Sequence, residues 1–306
     1  MSSAPLNSAR LKAEARRLGF MACGLSRAHD VPADVRARYL EWLAQGRQAS
    51  MHYLERHQEL RFSPSKLVPG VKTIVSLALS YHPAGHPIQP ALAWFAQGED
   101  YHRLMRRLMK ELMRTGGTSG RCFTDSAPVL ERYWACQSGL GFVGRHRQLV
   151  IPGAGSAFFL GELFLLEEAD EYDQPLSPAL GCGTCQRCLQ ACPTHAITPQ
   201  GMDARRCLSY LTIEHQGPLP AETAPLLGEC FYGCDRCLRA CPHLHAPSEP
   251  RSELRPSPEL LSMGAAEWAA LSSEQYERLF AHSAVRRAGF EGLRRNIASQ
   301  RKGDKT

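Results

Sequence analysis

The sequence predicts an α+β protein in three parts: an α+β domain over 1–170, a cysteine-rich domain over 171–247 and a short helical, arginine-rich segment over 248–306. Three observations carry that reading. Helix-like and strand-like apolar patterns alternate through the first 170 residues. Most of the 12 cysteines are packed between Gly181 and Pro242. Prolines mark the breaks, Pro175 and Pro178 before the cysteine region and a Pro/Ser-rich crossing (247–258) after it.

In chain order, residues 6–20 and 33–46 carry Leu11, Ala15 and Leu18, then Val35, Tyr39 and Trp42 with Leu43, at helical spacing. Val71 to Tyr81 is a largely apolar, β-branched run closed by His82-Pro83, which predicts a buried strand. Asp100 is placed to cap a helix over 101–115 that the Gly116-Gly117 pair ends. Arg121 to Thr124 predicts a short strand, and Pro128 suits the first turn of the next helix. Gln148 to Ile151 and Ser156 to Leu166, joined by Pro-Gly-Ala-Gly, predict two paired strands. The acidic stretch from Glu167 to Asp173 reads as a linker.

Cys182, Cys185, Cys188 and Cys192 have the spacing C-x2-C-x2-C-x3-C-P, the bacterial ferredoxin pattern. In that pattern three thiolates hold one iron–sulfur cluster and the fourth reaches a second. Cys234, Cys237 and Cys241 supply C-x2-C-x3-C-P. Cys241 then completes the first cluster, and the second has Cys192, Cys234, Cys237 and one further ligand. Cys207, lying between the two runs, is the preferred eighth thiolate, with Cys230 as its competitor. Two [4Fe–4S] clusters in a ferredoxin-like domain follow. A zinc ribbon needs four cysteines and would leave the x3-C-P tails without purpose. Disulfides are disfavoured further, because the spacing is tight for pairing neighbours and Met1 to Phe20 lacks the apolar block of a signal peptide.

Hydrophobic content of 43% and charged content of 22% describe an ordinary globular chain, and no apolar run approaches the roughly 18 residues of a membrane span. Unexported cysteines in such number point to a reducing, cytoplasmic setting. The net charge of +6 is mild, but arginine clusters near the end at Arg286, Arg287, Arg294, Arg295 and Arg301 with Lys302. Such a cluster either contacts phosphates or forms a solvated helix face.

Two clusters form a one-electron wire, and a wire fused to an α+β domain feeds a redox centre held there. No Cys-x-x-Cys-His haem site occurs. Asp100-Tyr-His102 begins the D-x-H-x-x-G pattern of mutase-type cobalamin proteins, but Met105 stands at the glycine. The residues alone leave the centre unnamed.

Several runs closely resemble the epoxyqueuosine reductase family. They are Phe123 to Arg132 (F-T-D-S-A-P-V-L-E-R), Ser138 to His146, Gly155 to Glu162, Asp203 to Glu214 (D-A-R-R-C-L-S-Y-L-T-I-E), Tyr232 to Cys237 and Ser283 to Asn296. The resemblance covers nearly the whole chain. It implies a cobalamin-binding α+β domain related to that of reductive dehalogenases, followed by the two-cluster domain. It also implies the last step of queuosine synthesis, reduction of the epoxide of epoxyqueuosine at the tRNA wobble position, fed by an external low-potential electron donor. The cofactor would rest as cob(II)alamin with no protein ligand beneath the cobalt, in a cytoplasmic monomer.

By the same resemblance Asp125 is the proton donor to the departing oxygen, where residue chemistry alone also allows a helix cap. Arg56, Leu149, Leu160, Ser209 and Asp235, with Asp125, are implied cobalamin contacts, the two leucines through main-chain groups. Cys207 is the implied eighth ligand, leaving Cys23, Cys122, Cys136 and Cys230 as free thiols. A tRNA substrate favours phosphate contacts from Arg286, Arg287, Arg294 and Arg295. Two departures stand out: Trp94 and Phe95 replace the usual arginine and tyrosine, and the chain stops at Thr306 where many relatives continue into HEAT-like repeats. The alternatives are another cobalamin and iron–sulfur reductase, of the reductive dehalogenase type, or a ferredoxin-type electron carrier; a carrier needs no domain like residues 1–170.

Overall fold

A computed structural model describes residues 5–245 and 251–303. The boundary expected at 247/248 and the side chains of Arg301 and Lys302 lie outside the described residues. The central element is a four-stranded antiparallel sheet of β1 (Ala22–Arg27), β2 (Thr73–Ser80), β3 (Gly120–Phe123) and β6 (Phe158–Leu165), in the order β1-β2-β6-β3. All eight residues of β2 are buried, as its apolar run requires of a strand covered on both faces.

One sheet face, with Val75, Leu77, Leu79 and Leu163, packs against helices Ser8–Arg17 and Tyr101–Gly116. The other, with Ile74, Ala78, Phe158 and Phe164, packs against helix Glu131–Gln137 through Trp134 and Ala135. Two glycines set these distances. A Cβ at Gly24 would lie 2.0 Å from the Ser138 carbonyl, where the 131–137 helix ends on β1. A Cβ at Gly161 would lie 2.7 Å from Met109 Sδ, so the 101–116 helix seats directly on β6.

That helix is capped as its sequence predicts: the Asp100 side chain accepts the His102 N–H, and Gly117 at φ 64° closes the last turn. Other expectations need correction. Leu149–Val150 (β5) does not pair with the 156–166 strand; it pairs with Phe142–Val143 (β4), and only an Ile151–Gly155 bridge links it onward. The long strand is drawn away because β2 and β3 both bond to it. Pro128 lies in a turn, three residues before its helix starts at Glu131. The acidic linker is fastened down: Asp173 accepts the Leu25 N–H and pairs with Lys12, and Asp170 accepts the Ser8 N–H.

The cysteine region is built of short helices, Arg187–Gln190, Leu208–Ile213 and Arg236–Arg239, with a two-stranded ribbon at 197–202. Trp42 Nε1 donates to the Met202 carbonyl and so ties the first unit to it. The C-terminal helices bury Trp268, Tyr276, Phe280 and Leu293 against Leu92, Phe231 and Tyr232, closing both units from one side. No helix among the described residues is long and apolar enough to cross a membrane.

Candidate active site

Where the sheet meets the cysteine region there is an open cavity of about 370 Å³. Its lining includes the aromatic residues Tyr81, Phe95, Tyr101, Phe158 and Phe159 and, from the cysteine region, Ser209, Cys234, Asp235 and Cys237. Asp125, just beyond β3, lines it as well.

The Asp125 backbone is held at φ 56°, a conformation that aspartate tolerates better than most residues. Two bonds keep it there. The Asp125 N–H donates to Glu131 Oε1, and Thr124 Oγ1 donates to the Leu160 carbonyl at 2.8 Å. The side chain is 59% exposed because the cavity opens over it. It caps no helix: the following helix has Leu130 at its N-cap, without a side-chain cap.

Asp125 Oδ2 accepts from Tyr101 Oη at 2.6 Å and faces His102 Nε2 at 3.1 Å. His102 Nδ1 lies 2.7 Å from Asp100 Oδ1. A ring flanked at both nitrogens by carboxylates satisfies them only when doubly protonated. Burial opposes that charge, but the hydrogen bonds to Asp100 and Asp125 prevail and raise His102 to about 9. Burial likewise pushes Asp125 up, yet the bonds from His102 and Tyr101 outweigh it and hold the carboxyl below its ordinary value. Glu131, just behind, is raised to about 8 by burial and by the charge of Asp125. Glu162, fully buried on β6, is raised by burial and by Glu131. Of the two groups that share Asp125 Oδ2, Tyr101 and His102, His102 is the proton carrier, a residue the sequence offered only as half of a failed cobalamin pattern.

Asp235, also in the lining, accepts the Trp94 N–H at 2.7 Å, and burial raises it to about 6. The bond uses the backbone of Trp94, so an arginine is not needed at that position to hold Asp235. Phe95 still lines the cavity as an aromatic ring. Of the six expected cofactor contacts, Asp125, Leu160, Ser209 and Asp235 line this cavity. Arg56 is exposed in a turn and is not among the lining residues; Leu149 is in the core, and its neighbour Gln148 lines the cavity instead.

The cysteines fall into two sets. Burial raises Cys188, Cys182 and Cys241 add to the shift, and Cys241 is in turn affected by Cys182 and Cys185. Burial raises Cys207 to about 11, with Cys234 and Cys192 contributing, and Cys237 is pushed up by burial and then by Cys234, Cys207 and Cys192. Cys230 Sγ donates to the Tyr232 carbonyl at 3.3 Å, and of the cluster-motif thiols only Cys234 contributes to its upward shift, after burial and Asp235. All of these thiols are unpaired by disulfides.

Three of the four terminal arginines have partners within the protein. Arg287 forms a two-pronged pair with Glu214, at 2.9 and 2.8 Å. Arg295 donates to the carbonyls of Leu211, His215 and Gly217. Arg286 pairs with Glu277, and Arg294 is exposed. Of the four arginines expected to meet phosphates, Arg286, Arg287 and Arg294 are exposed, and Arg295 is the one partly buried. A G-x-G-x-x-G spacing does occur, from Gly139 to Gly144, but it follows a helix and enters β4, the reverse of the strand-to-helix setting a dinucleotide needs.

An α+β unit and a ferredoxin-type cysteine unit sharing one acid-bearing cavity define an iron–sulfur oxidoreductase. Residues 181–243 match the 4Fe-4S double cluster binding domain, and residues 61–126 match the family described as "Epoxyqueuosine reductase QueG, DUF1730". Epoxyqueuosine reductase of Cellulophaga algicola is 36% identical over 97% of this chain and 99% of its own length. That of Escherichia coli K12 is 38% identical over 84% of this chain and 71% of its own. A crystal structure of epoxyqueuosine reductase with an epoxyqueuosine-modified tRNA-Tyr stem loop superposes with TM-score 0.85 at 26% identity, covering 97% of this chain and 81% of that one. The chain belongs to the epoxyqueuosine reductase family.

Proposed function

We propose that this protein reduces the epoxide of epoxyqueuosine at the tRNA wobble position to the alkene of queuosine, with electrons delivered through two [4Fe–4S] clusters to cobalamin. One observation carries the reading: the acid Asp125 and the cluster-motif thiols Cys234 and Cys237 line a single cavity. Removing the oxygen as water consumes two electrons and two protons, so a proton site and an electron site must meet there.

Cys182, Cys185, Cys188 and Cys241 would hold the first cluster, and Cys192, Cys207, Cys234 and Cys237 the second. The cavity lining would give a flat macrocycle apolar contact from Tyr81, Phe95 and Phe159 and polar contact from Ser209 and Asp235. Tyr81, Phe95, Phe159, Leu160, Ser209 and Asp235, with Asp125, would hold it, and Arg56 would contact it from outside that lining. Cobalamin, once bound, supplies a centre that takes single electrons from the clusters and delivers a pair to the oxirane.

The protein's own part is to hold and move protons. His102 stores one at Nε2, 3.1 Å from Asp125 Oδ2. When substrate covers Asp125, loss of water disfavours its carboxylate and draws that proton across. Asp125 then donates to the oxygen leaving carbon, and Tyr101 Oη steadies the carboxylate. A wobble base reaches this depth only when splayed from its loop, a conformation available to single-stranded RNA. The supply is an external low-potential donor, and a cytoplasmic monomer suits the chain.

The test is anaerobic reconstitution with iron, sulfide and cobalamin, a chemical reductant, and tRNA carrying the epoxide. Mass analysis of the digested nucleosides is expected to show loss of one oxygen from the modified base. Full cofactor loading with the epoxide left intact would overturn the reading.

A further inference from the structure

A polyanionic substrate needs a basic surface that leads to the cavity. Helix Tyr101–Gly116 supplies one. Its buried stripe is Leu104, Met105, Leu108, Met109 and Leu112, and its outer face carries Arg103, Arg106, Arg107, Lys110 and Arg114, all exposed. Against these five cations the helix sets a single carboxylate, Glu111.

The spacing makes the cations a line. Arg103, Arg107, Lys110 and Arg114 are three or four residues apart, hence on one face at steps of about 5–6 Å, over some 16 Å of helix. The line begins at the cavity: Tyr101 and His102, in the first turn, both contact Asp125. Arg10 and Arg17 stand on helix Ser8–Arg17, which packs alongside.

The existing partners are exchangeable. Arg107 meets Glu253 at 3.1 Å, Arg114 meets Glu111 at 2.6 Å, and both guanidiniums are more than half exposed. Arg103 contacts His282, and Arg106 folds back onto the His102 carbonyl. Exposed pairs of this kind contribute little and yield readily to phosphate. Arg295, by contrast, is partly buried and satisfied by three carbonyls.

We propose that the outer face of this helix is a phosphate rail that holds the anticodon arm of the RNA while its first turn presents Asp125 to the splayed nucleotide. The inference rests on the proposed function and adds to it the surface that seats the substrate.

The test is binding of an anticodon stem–loop RNA to the reconstituted protein, across a range of salt, for wild type and for the triple variant Arg107→Gln, Lys110→Gln, Arg114→Gln. Each released phosphate contact changes the slope of log affinity against log salt by about 0.7–0.9, so the triple variant is expected to lose roughly two units of slope. Its affinity near physiological salt is expected to fall at least about tenfold, with kcat at saturating RNA unchanged. The charge-preserving Arg107→Lys, Arg114→Lys protein is expected to keep the wild-type slope. Unchanged slope and affinity in the triple variant would overturn the rail. A wild-type protein that binds the RNA through these residues but leaves the epoxide intact would overturn the proposed reaction alone. A wild-type protein that ignores the RNA would overturn both.

Discussion

The Tyr101 hydroxyl donates to Asp125 Oδ2 at 2.6 Å, joining the first turn of one helix to the turn beyond β3. His102 reaches the same oxygen, so the acid is set by neighbours 24 and 23 residues earlier in the chain. In the substrate-free protein these bonds hold Asp125 ionised, and its proton waits on the imidazole.

Asp125→Asn keeps the shape but cannot carry that proton. Turnover is expected to fall about 10²–10⁴-fold, with iron content and corrin absorbance unchanged after reconstitution. Tyr101→Phe removes one donor to the carboxylate and is expected to shift the acid upward in pH rather than abolish the rate. A fully active Asp125→Asn protein would remove Asp125 from the mechanism.

Two groups give the site its pH dependence, and both act in the same direction. His102 is raised from 6.5 to about 9, so its charged interactions are fully present below about pH 6.5 and vanish as pH rises through about 9. Glu131 is raised from 4.5 to about 8, so above its unfolded value it costs stability until it ionises near 8. Thermal stability of the cofactor-free protein is therefore expected to decline from the mildly acidic range to pH 9. Glu131→Gln is expected to remove the lower part of that decline, and His102→Gln the upper part. Melting temperatures measured across this range check both, and a flat wild-type profile would contradict the assigned directions.

Cys207 and Cys230 are distinguished by what surrounds them. Cys207 has Cys234 and Cys192 as neighbours, whereas the Cys230 thiol is spent on the Tyr232 carbonyl. Cys207→Ser is expected to lose or destabilise one cluster, lowering bound iron by up to about half. Cys230→Ser is expected to retain the full complement. Iron and sulfide analysis of the two proteins, reconstituted side by side, decides between them.

What was legible in the sequence was local. The cysteine spacing and the Asp100 cap with its helix each depend on residues within about one turn of one another, so pattern alone exposes them. The strand β1 was missed because Gly24 and Ser26 disguise it; the glycine is there for the Ser138 carbonyl, contributed from more than 100 residues away. The pairing of β5 with β4 was misread because two-residue strands carry almost no periodicity, while the competing partner for the 156–166 strand, β2, lies some 80 residues upstream. His102 was visible as a residue but not as the proton store, since that role exists only once Asp100 and Asp125 close on its two nitrogens. Charge was legible at the C-terminus and its destination was not.

Arg295 shows the difference. Its guanidinium donates to the carbonyls of Leu211, His215 and Gly217, and its neighbour Asn296 donates to those of Thr212 and Phe231. Together they bind the last helix, Gly289–Gly303, to the segment that follows Cys207. Arg295→Gln shortens the reach and strands carbonyls that the fold partly shields from water, an expected cost of about 1–3 kcal/mol. The loss should appear in denaturant unfolding of the protein and should not depend on salt, because the acceptors are uncharged carbonyls. Arg294→Gln, at an exposed position one residue earlier, is expected to leave stability within about 0.5 kcal/mol of wild type. Were Arg295→Gln instead neutral for stability and costly only for RNA affinity, Arg295 would be a phosphate ligand and not a tie within the fold.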